Sequence, residues 1–270
     1  FGTRIDPWYW LRDDERKDPD VIAYLEAENE YRRQVLAPIA PFEQQLFDEI
    51  VGRIKQDDSS VPSRKRGWWY YTRFETGQQY PVYARRLGTM EAPEQVMIDG
   101  NADAVGHEFY QVGALEVSHD DARLAWAEDT VGRRQYTIRF KDLATGHVHA
   151  DRIENAESSI AWANDGRTLF YVEKHAQTLL GFRVRRHVLG TPVADDAIVY
   201  EEADESFHLG VAKSKSERFV FITLHSTVSS EYHYAAADDP ALEFRIALPR
   251  ERDHEYDLDD LGERFVIRTN

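Results

Sequence analysis

Between Arg123 and Gly146 the hydrophobic and polar positions fall into two strand-like runs. Leu124, Ala125 and Trp126 begin the first, and in the second Tyr136, Ile138 and Phe140 alternate with Thr137, Arg139 and Lys141. A period of two places one face of a strand in a core. The unit recurs: an arginine precedes an apolar run at Arg123 (Leu-Ala-Trp), Arg167 (Thr-Leu-Phe-Tyr), Arg218 (Phe-Val-Phe) and Arg264 (Phe-Val-Ile), at spacings of 44, 51 and 46 residues. A partial copy begins at Arg66, 57 residues before Arg123. Each full copy follows a polar turn, at His119-Asp120-Asp121, Asn164-Asp165-Gly166, Lys215-Ser216-Glu217 and Leu261-Gly262-Glu263.

A period near 45 with about four short strands per unit predicts the blades of a β-propeller. WWYYTRF (68–74), YPVYARR (80–86) and QVMID (95–99) supply the first set. Blades are expected at about 67–106, 107–156, 157–206 and 207–254, with the start of another at 255–270. A sandwich or an irregular barrel also contains short strands, but neither predicts the recurring arginine unit. Middle strands of a blade are covered on both faces, which explains why FVFITL (219–224) is continuously apolar while YTIRFK alternates. Trp126, Trp162, Tyr171 and Phe221 are expected between blades. Four blades and a fraction leave unpaired edges, so the natural protein is expected to continue past Asn270, and both ends of the chain read as cut.

The first 55 residues follow a helical pattern instead. Asp18 can cap a helix with Pro19 at its first position, and Val21, Ile22, Leu25, Val35 and Leu36 fall mostly on one stripe. A second helix is predicted after Pro41, with Phe42, Leu46, Phe47, Ile50, Val51 and Ile54 on one face. Both stripes need a partner surface. The polar run KQDDSSVPSRKR (55–66) reads as a linker. The expected organisation is a helical segment over 1–55, a linker over 56–66 and a mainly β, partial propeller over 67–270.

Composition narrows the function classes. A formal charge of −16 argues against nucleic acid, whose binding depends on cationic side chains neutralising phosphates. It permits basic ligands, although solubility alone explains it. No apolar run approaches the length of a membrane helix, and no signal-peptide pattern opens the chain. The absence of cysteine removes disulfides and thiolate chemistry and suits the cytoplasm and the periplasm alike, the cytoplasm being the expected location.

Candidate chemistry is sparse. There is no G-x-S-x-G elbow, P-loop, dinucleotide fingerprint or H-E-x-x-H helix. His147 and His149 could form a metal pair, but they adjoin Gly146 with Asp151 as the one nearby carboxylate, and an exposed loop is the simpler reading. Ser158, Ser159, Ser229 and Ser230 read as turn serines without a positioned base. The acidic runs 201–205 and 257–260 read as solvated faces. No cofactor, metal or catalytic residue is assigned within the chain.

The ordered blocks TRIDPWYWLRDD (3–14), ENEYRRQVLAP, VGRIKQDDSSVP, WYYTRFETGQQYPVYARR, HEFYQVGALEVS, AEDTVGRRQYTIRFKDLATG, IAWANDGRTLFYV, GFRVRRHVLGTP, VYEEADESF and LPRERDHEYDLD together resemble the oligopeptidase B (protease II) branch of the prolyl oligopeptidase family of serine peptidases. The resemblance spans the whole chain. It implies cleavage of short peptides after Arg or Lys. It also implies a helical segment packing on an α/β-hydrolase domain, and a seven-bladed propeller that gates and size-filters access to a Ser-His-Asp triad. That hydrolase domain follows the propeller in the family, so this piece alone is expected to be inactive. By the same resemblance, Asp57, Asp58, Ser59 and Ser60 lie at the hinge. Glu108 of the HEFY block and Arg133 or Arg134 of the GRRQY block are the candidates for the face turned towards the hydrolase domain. The expected partners are short basic peptides and the protein's own hydrolase domain. Two other classes stand beside this one: a free-standing propeller that binds a protein or peptide without catalysis, and a fragment without native function.

Overall fold

The computed structural model describes residues 2–239, 243–262 and 264–270; Glu263 of the fourth predicted turn lies outside them. The chain divides into two units, the first ending at Gln56 and the second running from Asp57 to Asn270. In the first, α1 (Pro19–Leu36) starts as the sequence predicts, with Pro19 in its first turn and the Asp18 carboxylate accepting from Asp20 N. A 3₁₀ turn (Ala37–Ile39) leads into α2 (Ala40–Gly52). Trp10 meets Tyr24 edge-on with ring centroids 5.3 Å apart. Leu25, Val35, Phe42, Phe47 and Ile50 of the apolar stripes are exposed, whereas Val21 is buried.

The second unit is built of antiparallel sheets in chain order. The first contains β1 (Asp58–Ser59), β2 (Ser63–Lys65), β3 (Trp68–Phe74), β4 (Val82–Leu87) and β5 (Glu94–Asp99) and is followed by the short helix α3 (Gly100–Asp103). A seven-stranded sheet then holds β6 (Gln111–Val117), β7 (Arg123–Asp129), β8 (Tyr136–Asp142), β9 (Val148–Trp162), β10 (Thr168–Lys174), β11 (Gly181–Val188) and β12 (Ala197–Glu201). The third has β13 (His208–Lys213), β14 (Phe219–His225), β15 (Ser230–Ala236) and β16 (Arg245–Leu248), and the fourth β17 (Tyr256–Asp260) and β18 (Phe265–Thr269). The seven-stranded sheet is two blades sharing β9: its first half pairs with β8 (Ile138↔Ile153) and its second with β10 (Leu169↔Trp162). The register shifts where the two halves meet, beside Asn155 at φ 54°. Four blades and the first hairpin of a fifth result, and the described sheets form no closed ring.

The expected linker differs from the structure. Asp58 and Ser59 pair with Phe74 and Arg73, Ser60 N donates to Thr72 O at 2.9 Å, and Ser63 to Lys65 pair with Tyr70 to Trp68. From Asp58 onward the run is sheet edge. All five residues of β1 and β2 are exposed, and a strand with no buried face carries no alternation for a sequence reading to detect.

Packing between blades follows the alternation of the middle strands. From β7, Leu124 and Trp126 pack towards the first blade with Met97, Ile98 and Leu143, whereas Ala125 and Ala127 face Ile138, Phe140, Trp162 and Tyr171. From β14, Val220, Ile222 and Leu224 join Phe170, Val172 and Val184, while Phe221 packs with Tyr232, Tyr256 and Leu258. Neighbouring positions on one strand thus feed two cores. Trp126, Trp162, Tyr171 and Phe221 all sit in these interfaces.

Three of the recurring arginines, Arg66, Arg123 and Arg218, tie one blade to the next, and at the Arg167 copy Asn164 does so instead. Arg66 Nε donates to Asp121 Oδ1 at 3.0 Å and its Nη2 to Ser118 O at 3.0 Å. Arg123 Nη1 donates to Gly166 O at 3.1 Å, and Arg218 Nη1 donates to Gly262 O. Asn164 Nδ2 makes the equivalent tie to Glu217 O at 3.1 Å. The receiving carbonyls lie in tight turns whose Asp121, Gly166, Glu217 and Gly262 all have positive φ.

Candidate functional site

One end of the second blade brings together two segments far apart in sequence. The loop after α3 delivers Phe109 onto Gly132 of the β7–β8 connection. Gly132 lies against the Phe109 ring, where a Cβ would sit in ordinary contact at 3.4 Å, and its backbone φ of +79° is the feature that favours glycine. Tyr110, 3% exposed, anchors the first loop by donating its hydroxyl to Glu128 Oε2 at 3.4 Å. The same oxygen accepts Trp126 Nε1 at 3.0 Å, and Arg139 lies 3.3 Å from the other. Burial, with Asp103 and Glu128 close by, pushes the Tyr110 hydroxyl far above the ordinary tyrosine range. It remains a hydrogen-bond donor at every physiological pH.

The β7–β8 connection is organised from inside. Asp129, 1% exposed, ends β7 and turns its carboxylate into the loop. Its Oδ1 accepts Val131 N at 2.8 Å and Gly132 N at 2.9 Å, and its Oδ2 accepts Arg134 N at 2.7 Å. From the other side Lys174, also buried, donates Nζ to Arg134 O at 2.9 Å and pairs with Glu157 at 2.7 Å. Arg134 is thereby held at φ 53°, a region costly for a side chain with a Cβ. Both backbone polar groups of Arg134 are satisfied by the buried side chains of Asp129 and Lys174, while its own side chain is exposed.

The loops carry the expected residues into one neighbourhood. Glu108, Arg133 and Arg134 are exposed, and none makes a side-chain hydrogen bond or ion pair with another described residue. Both arginines lie ahead of β8, in the turn rather than on the strand. The sequence reading did not single out Asp129, Glu157 or Lys174. The signal for Asp129 was an aspartate at a strand end followed three residues later by glycine, the pattern of a side chain bonding its own backbone. Lys174 carried no such signal, because its targets lie 40 and 17 residues away in sequence.

The remaining candidates take structural places. Asp57, Asp58, Ser59 and Ser60 are exposed along the sheet edge, with the Ser60 hydroxyl accepting Thr72 N at 2.9 Å. Ser159 Oγ bridges Val211 O and Val211 N at 2.8 Å each, and Ser229 Oγ donates to Glu251 O at 2.9 Å. The His147 and His149 rings lie 5.4 Å apart, but Asp151 is taken by His187 Nε2 at 3.0 Å and Gly190 N at 2.6 Å. Among the described residues no cluster of three metal-ligating side chains forms. The acidic runs are not wholly solvated: Glu202 pairs with Arg250 at 2.6 Å with its side chain 7% exposed, and Asp260 accepts Ser216 Oγ with 1% exposed.

Comparison with known proteins places this architecture. Residues 2–270 match the family model described as prolyl oligopeptidase, N-terminal beta-propeller domain. The chain is 52% identical over 284 residues to dipeptidyl aminopeptidase BI of Pseudoxanthomonas mexicana, covering 100% of this chain and 39% of that protein. It is 32% identical over 277 residues to protease 2 of Moraxella lacunata, covering 99% and 39% respectively. Among solved structures, oligopeptidase B from Leishmania major superposes with a TM-score of 0.90 at 33% identity, over 99% of this chain and 38% of that one. The chain therefore spans about two fifths of the length of these relatives. No helix among the described residues is long and apolar enough to cross a membrane.

Proposed function

The chain belongs to the prolyl oligopeptidase family, as its N-terminal β-propeller part, and from that premise we propose that it gates and size-filters access to a C-terminal α/β-hydrolase domain of a serine oligopeptidase that cleaves short peptides after Arg or Lys. The observation that carries this reading is the pair of loops joined through Phe109 and Gly132. They hold Glu108, Arg133 and Arg134 outward on a rigid base, with no partner among the described residues. A carboxylate and a guanidinium left unpaired on adjoining loops are suited to charge-assisted hydrogen bonds with an opposing domain. Such bonds form when the domains close and are replaced by water when they open, so the switch costs little in either direction.

Opening in this reading turns about the segment Lys55–Ser60, between α2 and the body of the first sheet. Its exposed Asp57, Asp58, Ser59 and Ser60 remain hydrated in both states. With the domains parted a short peptide reaches the triad, and with them closed water and folded proteins are kept away from it. The apolar stripes of α1 and α2 belong to the same proposal as surfaces covered by the hydrolase domain. A cytoplasmic location belongs to the same proposal, the absence of cysteine fitting the cytoplasm and the periplasm alike.

The relative at 52% identity is named a dipeptidyl aminopeptidase, and this favours one alternative: removal of dipeptides from free N-termini rather than internal cleavage. Chromogenic peptides decide between them in the full-length protein. Hydrolysis of N-blocked Arg and Lys substrates supports the oligopeptidase reading. Activity confined to substrates with a free amino group two residues from the cleaved bond supports the alternative. Cleavage after Pro, with Arg substrates untouched, overturns the specificity assigned to this branch.

A further inference from the structure

A second concentration of unpaired charge lies where the innermost strands of the blades converge. β2, β6, the second half of β9 and β13 surround a cavity of about 770 Å³. Five cationic side chains line it, Arg64, Lys65, Arg66, Lys213 and Lys215, against the two carboxylates of Glu116 and Glu217. The lining therefore carries three excess positive charges in a chain whose formal net charge is −16. A cavity with low-dielectric walls and one sign of charge concentrates ions of the other sign.

The charges are unequally satisfied. Glu217 is engaged by Lys65 at 3.2 Å, by Arg66 and by His119 at 3.4 Å, and Arg66 also pairs with Asp121. Lys213, half-buried on β13, pairs through its backbone with β14, but its ammonium makes no hydrogen bond or ion pair with a described residue. Glu116, on β6 facing the same space, likewise has no side-chain partner. We propose that this channel is a binding site for a small anion bearing a carboxylate or phosphate group, held by the Lys213 ammonium with Lys65 and Arg66 completing the positive wall.

Two electrostatic consequences support the geometry. Burial pushes the Lys213 ammonium down to about 8, with Lys65 and Arg66 adding repulsion that Glu217 and Glu116 only partly offset. An anion supplies the counter-charge the site lacks. Burial also raises the Glu116 carboxyl, opposed by Lys65, Lys213 and Arg66, so the one acid without a partner is biased towards the neutral form that does not repel an anion. Binding should accordingly weaken as pH rises past about 8 and Lys213 loses its proton.

The test uses the full-length protein at constant ionic strength and pH 7, with inorganic phosphate in one arm and trialanine, with its free C-terminal carboxylate or as the C-terminal amide, in the others. The proposal predicts a saturable rise in Tm with phosphate or with the free carboxylate and none with the amide; the arm that responds identifies the source of the anion. Lys213→Met should weaken binding at least ten-fold, and Glu116→Gln should strengthen it several-fold. Footprinting of the unmutated protein gives an independent readout. Acetylation by an N-hydroxysuccinimide ester at pH 8 should be suppressed by the anion at Lys213 and not at Lys17, whose side chain is 80% exposed. No saturable response in any arm, equal binding by Lys213→Met, or equal protection of both lysines would overturn the proposal.

Discussion

The Lys174 ammonium lies 2.9 Å from the carbonyl oxygen of Arg134, so a buried cation at the end of one blade's strand fixes the backbone of a loop on the blade before it. Glu157, 2.7 Å from the same ammonium, balances its charge. Lys174→Met removes the donor, leaves Glu157 without its partner and frees the strained backbone at Arg134. The expected loss of stability is about 3 kcal/mol. Amide exchange should accelerate first at residues 130–135, and unchanged exchange there would separate Lys174 from the loop.

Glu108→Ala and Arg134→Ala make the complementary prediction. Both side chains are exposed and unpartnered, so each variant should unfold within about 0.5 kcal/mol of the parent. In the full-length protein each should nevertheless shift kcat/KM or its pH profile. Parental kinetics in both would return these residues to ordinary surface charge.

The inter-blade clasps predict a coupling. Arg66 bonds Asp121 from the neighbouring blade, with both side chains about a fifth exposed or less. Arg66→Met should cost about 2 kcal/mol, the range of hydrogen bonds to charged groups. A double-mutant cycle with Asp121→Asn should return a coupling of about 1 kcal/mol. Additivity would mean that the repeated arginine is decoration on the turn rather than a tie between blades.

Two buried acid–base clusters give opposite pH dependences. His187, fully buried, lies 2.8 Å from Asp196 and 3.0 Å from Asp151. Burial opposes its charge, but the two carboxylates outweigh burial and raise its pKa above 6.5. Its contribution to stability is therefore complete below about pH 6.5 and declines as pH rises through the folded-state value. Glu231 behaves in the reverse sense: burial opposes its charge, yet Arg250 and His233 hold it down to about 2 from 4.5. Its contribution is complete above about pH 4.5 and is lost as pH falls towards 2. Urea midpoints across pH should show the difference between parent and His187→Gln shrinking on the alkaline side, and that between parent and Glu231→Gln shrinking on the acid side.

What the sequence made legible depended on periodicity. The arginine unit and the apolar middle strands repeat, so the blades could be read, down to the division of β9 near residue 156, while the first sheet begins at Asp58 rather than near residue 67. β1 and β2 could not be, because Asp58, Ser59, Ser63, Arg64 and Lys65 are all exposed and their pairing is set by backbone hydrogen bonds to β3. Glu202 was read as a solvated acid because its partner, Arg250, is 48 residues away. The same holds for Lys174 and the Arg134 loop. Repetition along the chain reveals strands and packing, whereas single long-range ion pairs leave no local pattern. Glu108, Arg133 and Arg134 were reached through resemblance, and their positions on adjoining loops became visible only in the structure.

The central claim, that this propeller filters peptides for a catalytic domain, is tested most directly by rates on a length series. The full-length protein would be given peptides containing one Arg, from about six residues upward, and a folded protein with an exposed Arg loop. The account predicts cleavage after Arg with kcat/KM falling steeply as length increases and the folded protein left intact. Equal rates across the series including the folded protein, or cleavage after Pro alone, would contradict it.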